Sequence, residues 1–288
     1  MRSLLFVPGD SEKKLAKSLG SGADILILDL EDSIAPGRKD AARRITRGFL
    51  DAQAERRRQL FVRVNPLASG LVLADLAAIV GGRPDGIVLP KAEGGESVKT
   101  LAHYLSALEA REGVAAGSIR ILPIASETAA AVFAFESYAG SSARLCGLMW
   151  GCEDLAAAVG ATENRHPDGS YPPPFELARS LCLFAAAAAG VEAIDTVFPD
   201  FRDGDGLERE ARAAERIGFT GKAAIHPGQV EAINRIFTPD AAAIAHAKRV
   251  VAAFAAAPEA GVVGLEGKML DRPHLVAAER VLRRAGAS

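Results

Sequence analysis

The sequence is short of the features that settle a function class outright. It has three cysteines in 288 residues, Cys146, Cys152 and Cys182. They are too few and odd in number for a disulfide framework, and they lack the spacing of a metal or redox motif. Reduced, mostly buried thiols with no catalytic role are expected. Neither sign of charge dominates, with 34 Lys and Arg against 36 Asp and Glu and a formal net charge of −2, so no nucleic acid and no membrane surface is expected as a partner. Long apolar runs are missing too. The opening M-R-S-L-L-F-V-P-G-D is cut by Pro8, Gly9 and Asp10 and is too short for a signal-peptide core. The most apolar stretch, Leu181 to Ile194, contains Gly190 and Glu192 and falls short of the ~20 residues that cross a bilayer. A cytoplasmic protein without a transmembrane segment is expected. No solenoid-type repeat and no His or Cys set at zinc spacing is present.

What the chain does have is a recurring alternation. Eight short runs rich in Val, Ile and Leu follow one another: S-L-L-F-V-P, D-I-L-I-L-D-L, L-F-V-R-V-N-P, G-I-V-L-P-K, R-I-L-P-I-A-S, L-C-G-L-M-W-G, A-I-D-T-V-F and K-A-A-I-H-P. Segments such as Arg38 to Gln59, Ser97 to Glu112 and Leu207 to Ile217 separate them and read as amphipathic helices. Continuous apolar strands alternating with helices mean a parallel sheet covered by helices. Eight such units predict a (β/α)8 barrel over residues 1–228, with a doubly wound open sheet as the alternative. From residue 229 to 288 the pattern turns helical, Gln229 to Ile236 and Asp240 to Ala256, then the Gly-rich V-V-G-L-E-G-K-M-L-D-R-P and a final helix from about His274. This tail reads as an extension that packs on the barrel or reaches a neighbouring subunit. Residues 163–174, with four prolines, read as a long loop.

In such a barrel the active site lies at the C-terminal ends of the strands. The polar residues there are Asp29, Glu31 and Asp32 on the second strand, Arg63 and Asn65 on the third, Lys91 and Glu93 on the fourth, and Ser126 and Glu127 on the fifth. Glu153 and Asp154 follow the sixth, Asp195 lies on the seventh, and Lys222 and His226 on the eighth. All are expected to converge on one mouth. Clustered carboxylates repel and need basic partners or a bound cation. An oxygen-only donor set points to Mg2+ or Mn2+, with Glu127 and Asp154 the best-placed pair. Plainer roles compete. Asp29, Glu31 and Asp32 suit helix capping or strand-end solvation, Arg63 a structural ion pair, His226 a hydrogen-bonded core or turn position, and Asp271 a solvated N-cap. Lys13, Lys14 and Lys17 suit a solvated helix face, and His103, His166, His246 and His274 the surface or loops.

Eight motifs in order give the chain a resemblance along nearly its whole length: R-S-L-L-F-V-P-G at Arg2, D-I-L-I-L-D-L-E-D-S-I-A-P at Asp24, V-R-V-N at Val62, L-P-K-A-E at Leu89, S-E-T at Ser126, G-C-E-D-L-A at Gly151, G-F-T-G-K-A-A-I-H-P at Gly218 and G-K-M-L-D-R-P at Gly267. In these it resembles the citrate lyase β-subunit-like CoA-ester lyases, which include malyl-CoA and citramalyl-CoA lyases. The resemblance implies a Mg2+-dependent carbon–carbon lyase that splits a 3-hydroxy-3-carboxyacyl thioester into an acyl-CoA and a 2-oxoacid. It implies that Glu127 and Asp154 are the metal ligands and that Glu31 and Asp32 support metal-bound waters. It also gives Arg63 the thioester or carboxylate oxygen, and Lys13, Ile225 and His226 contacts to coenzyme A. Asp271 then matches the catalytic acid/base, delivered to an adjacent subunit's site in a homotrimer or hexamer.

The chain departs from the family at Ser126, where many relatives have Ile, a change expected to bear on the 2-oxoacid pocket. Cys152, where Ala is common, is expected to matter only for packing. Three rivals remain open: a citryl-carrier-protein lyase subunit, a CoA-independent Mg2+-dependent 2-oxoacid aldolase, and a non-catalytic barrel.

Overall fold

The computed structural model describes residues 1–53, 55 and 58–286. Each apolar run becomes a strand: β1 Ser3–Pro8, β2 Ile25–Asp29, β3 Gln59–Arg63, β4 Gly86–Leu89, β5 Arg120–Pro123, β6 Gly147–Met149, β7 Glu192–Asp195 and β8 Gly221–Ala224. The intervening helices are α1 Glu12–Ser18, α2 Lys39–Ala52, α3 Val72–Ile79, α4 Gly95–Glu112, α5 Ala129–Val132, α6 Glu153–Val159, α7 Pro173–Ala189 and α8 Gly204–Ile217, with α9 Val230–Phe237 after β8. The strands run parallel in the order β5-β4-β3-β2-β1-β8-β7-β6. Between β5 and β6 isolated bridges replace a ladder, Ile121 with Leu145 and Ile124 with Met149. Hydrogen bonds from Cys146 N to Ile121 O at 3.0 Å and from Ala125 N to Met149 O at 2.7 Å close the barrel there.

Alternate residues of each strand point inward. Leu4, Ile25, Ile27, Phe61, Val88, Leu122, Ile124, Met149, Ile194 and Ala223 form the barrel core, each large side chain stabilising by about 2 kcal/mol relative to exposure. Phe61 needs the bare backbone of its neighbour, because a Cβ on Gly86 would lie 2.5 Å from its ring. Gly86→Ala would therefore drive Phe61 from the core.

The same alternation corrects one expectation. Asp195 and Lys222 do not join the mouth. Each is adjacent in sequence to an inward residue, Ile194 and Ala223, and so points outward beneath the helices. Lys222 Nζ donates to Asp195 at 2.7 Å, Glu210 of α8 at 2.6 Å and the Thr196 carbonyl at 2.7 Å. Asp195 also accepts from Trp150 Nε1 at 2.7 Å and from Arg179 Nε of α7 at 3.2 Å. Lys222 and Arg179 hold its carboxyl below the usual range against the opposing effect of complete burial. These residues fasten α7 and α8 to the barrel.

The chain divides into two compact units, Met1–Asn234 and the residues from Arg235 onward. The second contains α10 Ala241–Ala255, β9 Val262–Leu265, β10 Lys268–Asp271 and α11 Arg272–Arg284. Its own core is built from Ala247, Val250, Phe254, Val263, Leu270, Ala278 and Leu282. The Gly-rich stretch is an antiparallel hairpin in which Leu265 pairs with Lys268. Its two turn residues, Glu266 at φ +52 and Gly267 at φ +78, both have the positive φ that a two-residue hairpin turn matched to strand twist requires. Among the described residues no helix is long and apolar enough to cross a membrane.

Candidate active site

The mouth is organised by the loop that follows β2. Asp29 ends that strand buried, and its carboxylate accepts from the backbone N–H of Glu31 at 2.9 Å and of Ser33 at 3.1 Å, folding L-E-D-S into a tight turn. The same carboxylate takes the fork of Arg63, Nε at 2.7 Å and Nη2 at 2.8 Å. This pairing outweighs burial and keeps the Asp29 carboxyl below its ordinary value. Lys39, at the start of α2, holds the turn from behind by donating to the carbonyls of Leu30 at 2.7 Å and Glu31 at 2.8 Å and to Asn65 Oδ1 at 2.8 Å. Asn65 is in turn fixed by Asp75, which Arg43 pairs at 2.7 Å.

With its fork engaged and its plane 4.8 Å from the Phe6 ring centre, Arg63 is left with Nη1. That nitrogen faces Glu31 Oε2 at 2.9 Å, a charge contact without hydrogen-bond alignment. Burial alone would lower the guanidinium's pKa, yet Asp29 and Glu31 hold it above its ordinary value.

Glu127 and Asp154 come from the β5 and β6 ends, across the barrel's loosest seam. Ser126 Oγ spans that seam, accepting from Gly151 N at 2.9 Å and donating to Gly151 O at 3.2 Å. It is fully buried and does not line the cavity, so its effect runs through the position of its neighbours and not through the pocket wall. Gly151 is equally constrained, because a Cβ there would lie 2.7 Å from Glu127 Cγ. Glu127 Oε2 accepts from Lys91 N at 2.5 Å. Lys91 Nζ reaches Glu31 Oε1 at 2.7 Å, Asp154 Oδ1 at 3.2 Å and Asp32 Oδ2 at 3.8 Å.

These groups surround a cavity of about 370 Å3 lined by Phe6, Asp29, Asp32, Arg63, Glu127, Asp154 and Ile225 among others. Five carboxylates, Asp29, Glu31, Asp32, Glu127 and Asp154, thus outnumber the three cations beside them, Arg63, Lys91 and Lys39. Glu127 registers the imbalance. Burial first, then the charges of Asp154 and Glu31, push its carboxyl up to about 8. Such a donor set fits a hard divalent cation. Mg2+ is an ion bound through one or two carboxylates with water and substrate oxygens completing the shell, and Glu127 and Asp154 are donors of that kind; among the described residues no three His, Cys, Asp or Glu form a ready-made metal cage.

The structure therefore brings Arg63, Asp32, Glu127, Asp154 and Ile225 together around one cavity, with Glu31 buried directly behind. Lys13 is exposed on α1 and does not line the cavity. His226 is exposed as well, stacked on Phe201 at 4.7 Å, and its Nδ1 accepts from Gly228 N at 3.1 Å in the turn role. Asp271 caps α11 in the second unit, half-exposed, its carboxylate paired with His274 Nδ1 at 2.5 Å. The sequence places Asp29 and Lys91 at the mouth but does not show that Asp29 orients Arg63 or that Lys91 joins Glu31, Asp154 and Glu127. The available signal was electrostatic, since an excess of strand-end carboxylates requires that every nearby cation and every self-bonding carboxylate be counted.

The family description "HpcH/HpaI aldolase/citrate lyase" matches residues 2–227, and "C-C_Bond_Lyase of the TIM-Barrel fold" matches residues 178–287. The citrate lyase subunit beta of Haemophilus influenzae is 36% identical over 99% of this chain and 96% of that protein. The (3S)-malyl-CoA thioesterase of Cereibacter sphaeroides is 34% identical over 99% of this chain and 95% of that protein. Among solved structures, the protein CitE of Mycobacterium tuberculosis in complex with magnesium, acetoacetate and coenzyme A superposes with a TM-score of 0.79 at 35% identity, covering 99% of this chain and 98% of that one. Likeness of this extent, in sequence and in the barrel, means that the chain belongs to the HpcH/HpaI aldolase/citrate lyase family of carbon–carbon bond lyases.

Proposed function

We propose that this chain is a Mg2+-dependent CoA-ester lyase. It reversibly cleaves a 3-hydroxy-3-carboxyacyl-CoA of the malyl-, methylmalyl- or citramalyl-CoA type into an acyl-CoA and a 2-oxoacid. The observation that carries this reading is the single cavity in which an excess of hard oxygen donors, Glu127 and Asp154, sits beside an already oriented guanidinium, Arg63. The relatives point the same way, one by its name as a malyl-CoA thioesterase and one solved with magnesium and coenzyme A.

Glu127 and Asp154 hold the Mg2+ in this reading, with Glu31 and Asp32 behind them; Mn2+ suits the same donors. When bound, the metal supplies Lewis acidity toward the carboxylate and carbonyl oxygens of the 2-oxoacid. The chain's own residues do the rest. In the condensation direction Asp271 takes a proton from the methyl or methylene carbon next to the thioester, and in cleavage it returns that proton. Arg63 Nη1 donates to the thioester oxygen as negative charge builds there, an interaction whose loss costs about 10²–10³-fold in rate. Asp29 and Phe6 hold the guanidinium in place beforehand, so little reorganisation accompanies the step. Lys13, Ile225 and His226 contact coenzyme A. Asp271 reaches the cavity from a neighbouring subunit of a homotrimer or hexamer.

The test incubates the protein and Mg2+ with acetyl- or propionyl-CoA and glyoxylate, pyruvate or oxaloacetate, and follows products by mass spectrometry. A 3-hydroxyacyl-CoA product with one pair is expected, and none with any pair would overturn the CoA-ester reading. The match to a citrate lyase beta subunit favours a second reading, action on a carrier-protein thioester. Product from an acyl-carrier substrate alone would establish it.

A further inference from the structure

The proposed reaction leaves Lys91, at the mouth, without a task. It follows Pro90 at the end of β4 and sits at φ +50, a left-handed backbone that side chains other than Gly, Asn or Asp rarely adopt. This conformation aims its N–H at Glu127 Oε2, 2.5 Å away. It also sends the side chain inward, so that Nζ lies 2.7 Å from Glu31, 3.2 Å from Asp154 and 3.8 Å from Asp32. One residue thus touches both carboxylates assigned to the metal and both that stand behind them.

Its two contacts differ in kind. The backbone amide carries no net charge and is compatible with a cation on Glu127. The ammonium carries a full charge and competes with a divalent ion for the same Asp154 oxygen. It is a compact point charge on a flexible stem with rotatable donors, and at 31% exposure the side chain has room to turn. Arg63 cannot play this part, because Asp29 holds its fork in two hydrogen bonds.

We propose that Lys91 is the exchangeable counter-ion of the metal site: its ammonium gathers Glu31 and Asp154 in the metal-free protein and gives up Asp154 when the divalent ion binds, keeping Glu31 and Asp32. This rests on the assignment of Glu127 and Asp154 as metal ligands. The site is then assembled before the metal arrives, at the cost of weaker metal binding than its carboxylates alone would give.

The test measures Mg2+ binding by calorimetry, and thermal unfolding with EDTA or Mg2+, in the parent, Lys91→Met and Lys91→Gln. The Gln variant keeps a hydrogen-bonding end in case the apolar one disturbs folding. Both variants should bind Mg2+ about fivefold tighter or more, unfold at lower temperature than the parent in EDTA, and gain more from Mg2+ than the parent does. Equal or weaker Mg2+ binding in the variants, with the parent binding normally, would overturn the counter-ion role alone. Absence of Mg2+ binding in the parent would overturn the metal assignment and this inference with it.

Discussion

Raising the pH should destabilise the metal-free protein, and Glu127 is the reason. Its carboxyl has an ordinary value of 4.5 and stands at about 8 in the folded chain, raised by burial and by the neighbouring charges of Asp154 and Glu31. Between those values the native state holds a proton that the unfolded chain has lost. Stability therefore falls as pH rises, at up to about 1.4 kcal/mol per pH unit, or about 4 kcal/mol from pH 5 to pH 8. Glu31, raised by burial against the pull of Arg63 and Lys91, adds in the same direction. Asp24, Asp29 and Asp195 are lowered from 3.8. Their contribution is complete above that value and is lost only in stronger acid, so it leaves the pH 5 to 8 window flat.

The assay is thermal unfolding in EDTA at several pH values across that window. A decline on the order of 10 °C is expected. Glu127→Gln, neutral throughout, should lose most of the slope and exceed the parent at pH 8. If Glu127 holds Mg2+ as an ionised carboxylate, the stabilising effect of Mg2+ should grow with pH in the parent. A parent that is flat from pH 5 to 8, or a Glu127→Gln variant with the parent's slope, would refute the reasoning.

Other consequences follow from single contacts. Lys222→Met leaves Asp195 and Glu210 buried without their shared cation and should cost about 3 kcal/mol in denaturant unfolding; a loss under 1 kcal/mol would contradict the network described. Gly151→Ala places a Cβ against Glu127 Cγ, so calorimetry should show Mg2+ binding weakened about tenfold or more with the fold intact by circular dichroism. If Asp271 serves a neighbouring subunit, Asp271→Asn and Arg63→Ala are each inactive alone, but after subunit exchange of an equal mixture about a quarter of the sites are complete. No recovery despite confirmed exchange would place Asp271 in its own chain's site or outside the chemistry.

The barrel was legible because parallel strands buried on both faces are continuous runs of Val, Ile and Leu, such as D-I-L-I-L-D-L, and because charged helical segments separate them. That same continuity hid the facing of Lys222 and Asp195. With no alternation in the run, nothing in the sequence says which residue points into the barrel, and only the register with neighbouring strands decides it. The hairpin of the second unit was missed for a local reason. Gly264 and Gly267 mark the stretch only as Gly-rich, while Glu266 at φ +52 takes a turn position that its residue type does not advertise. At the mouth, Arg63, Glu127 and Asp154 were legible as polar residues at strand ends. The roles of Asp29 and Lys91 were not, because they depend on a side chain turning back onto its own loop and on a left-handed backbone. Ser126 reads as a pocket residue in sequence and is a seam-spanning hydrogen-bonding residue in the fold, since a hydroxyl's partners are set by which loops meet.

In the proposed reaction Glu127 and Asp154 support metal-dependent carbon–carbon bond formation and cleavage on a thioester. The most direct measurement takes the acyl-CoA and 2-oxoacid pair that gives product and compares the parent with Mg2+, the parent with EDTA, and Glu127→Gln and Asp154→Asn with Mg2+, following the 3-hydroxyacyl-CoA by mass spectrometry. Product is expected only in the first, with EDTA inhibition reversed by added Mg2+. Undiminished product in EDTA, or in both carboxylate variants, would contradict it.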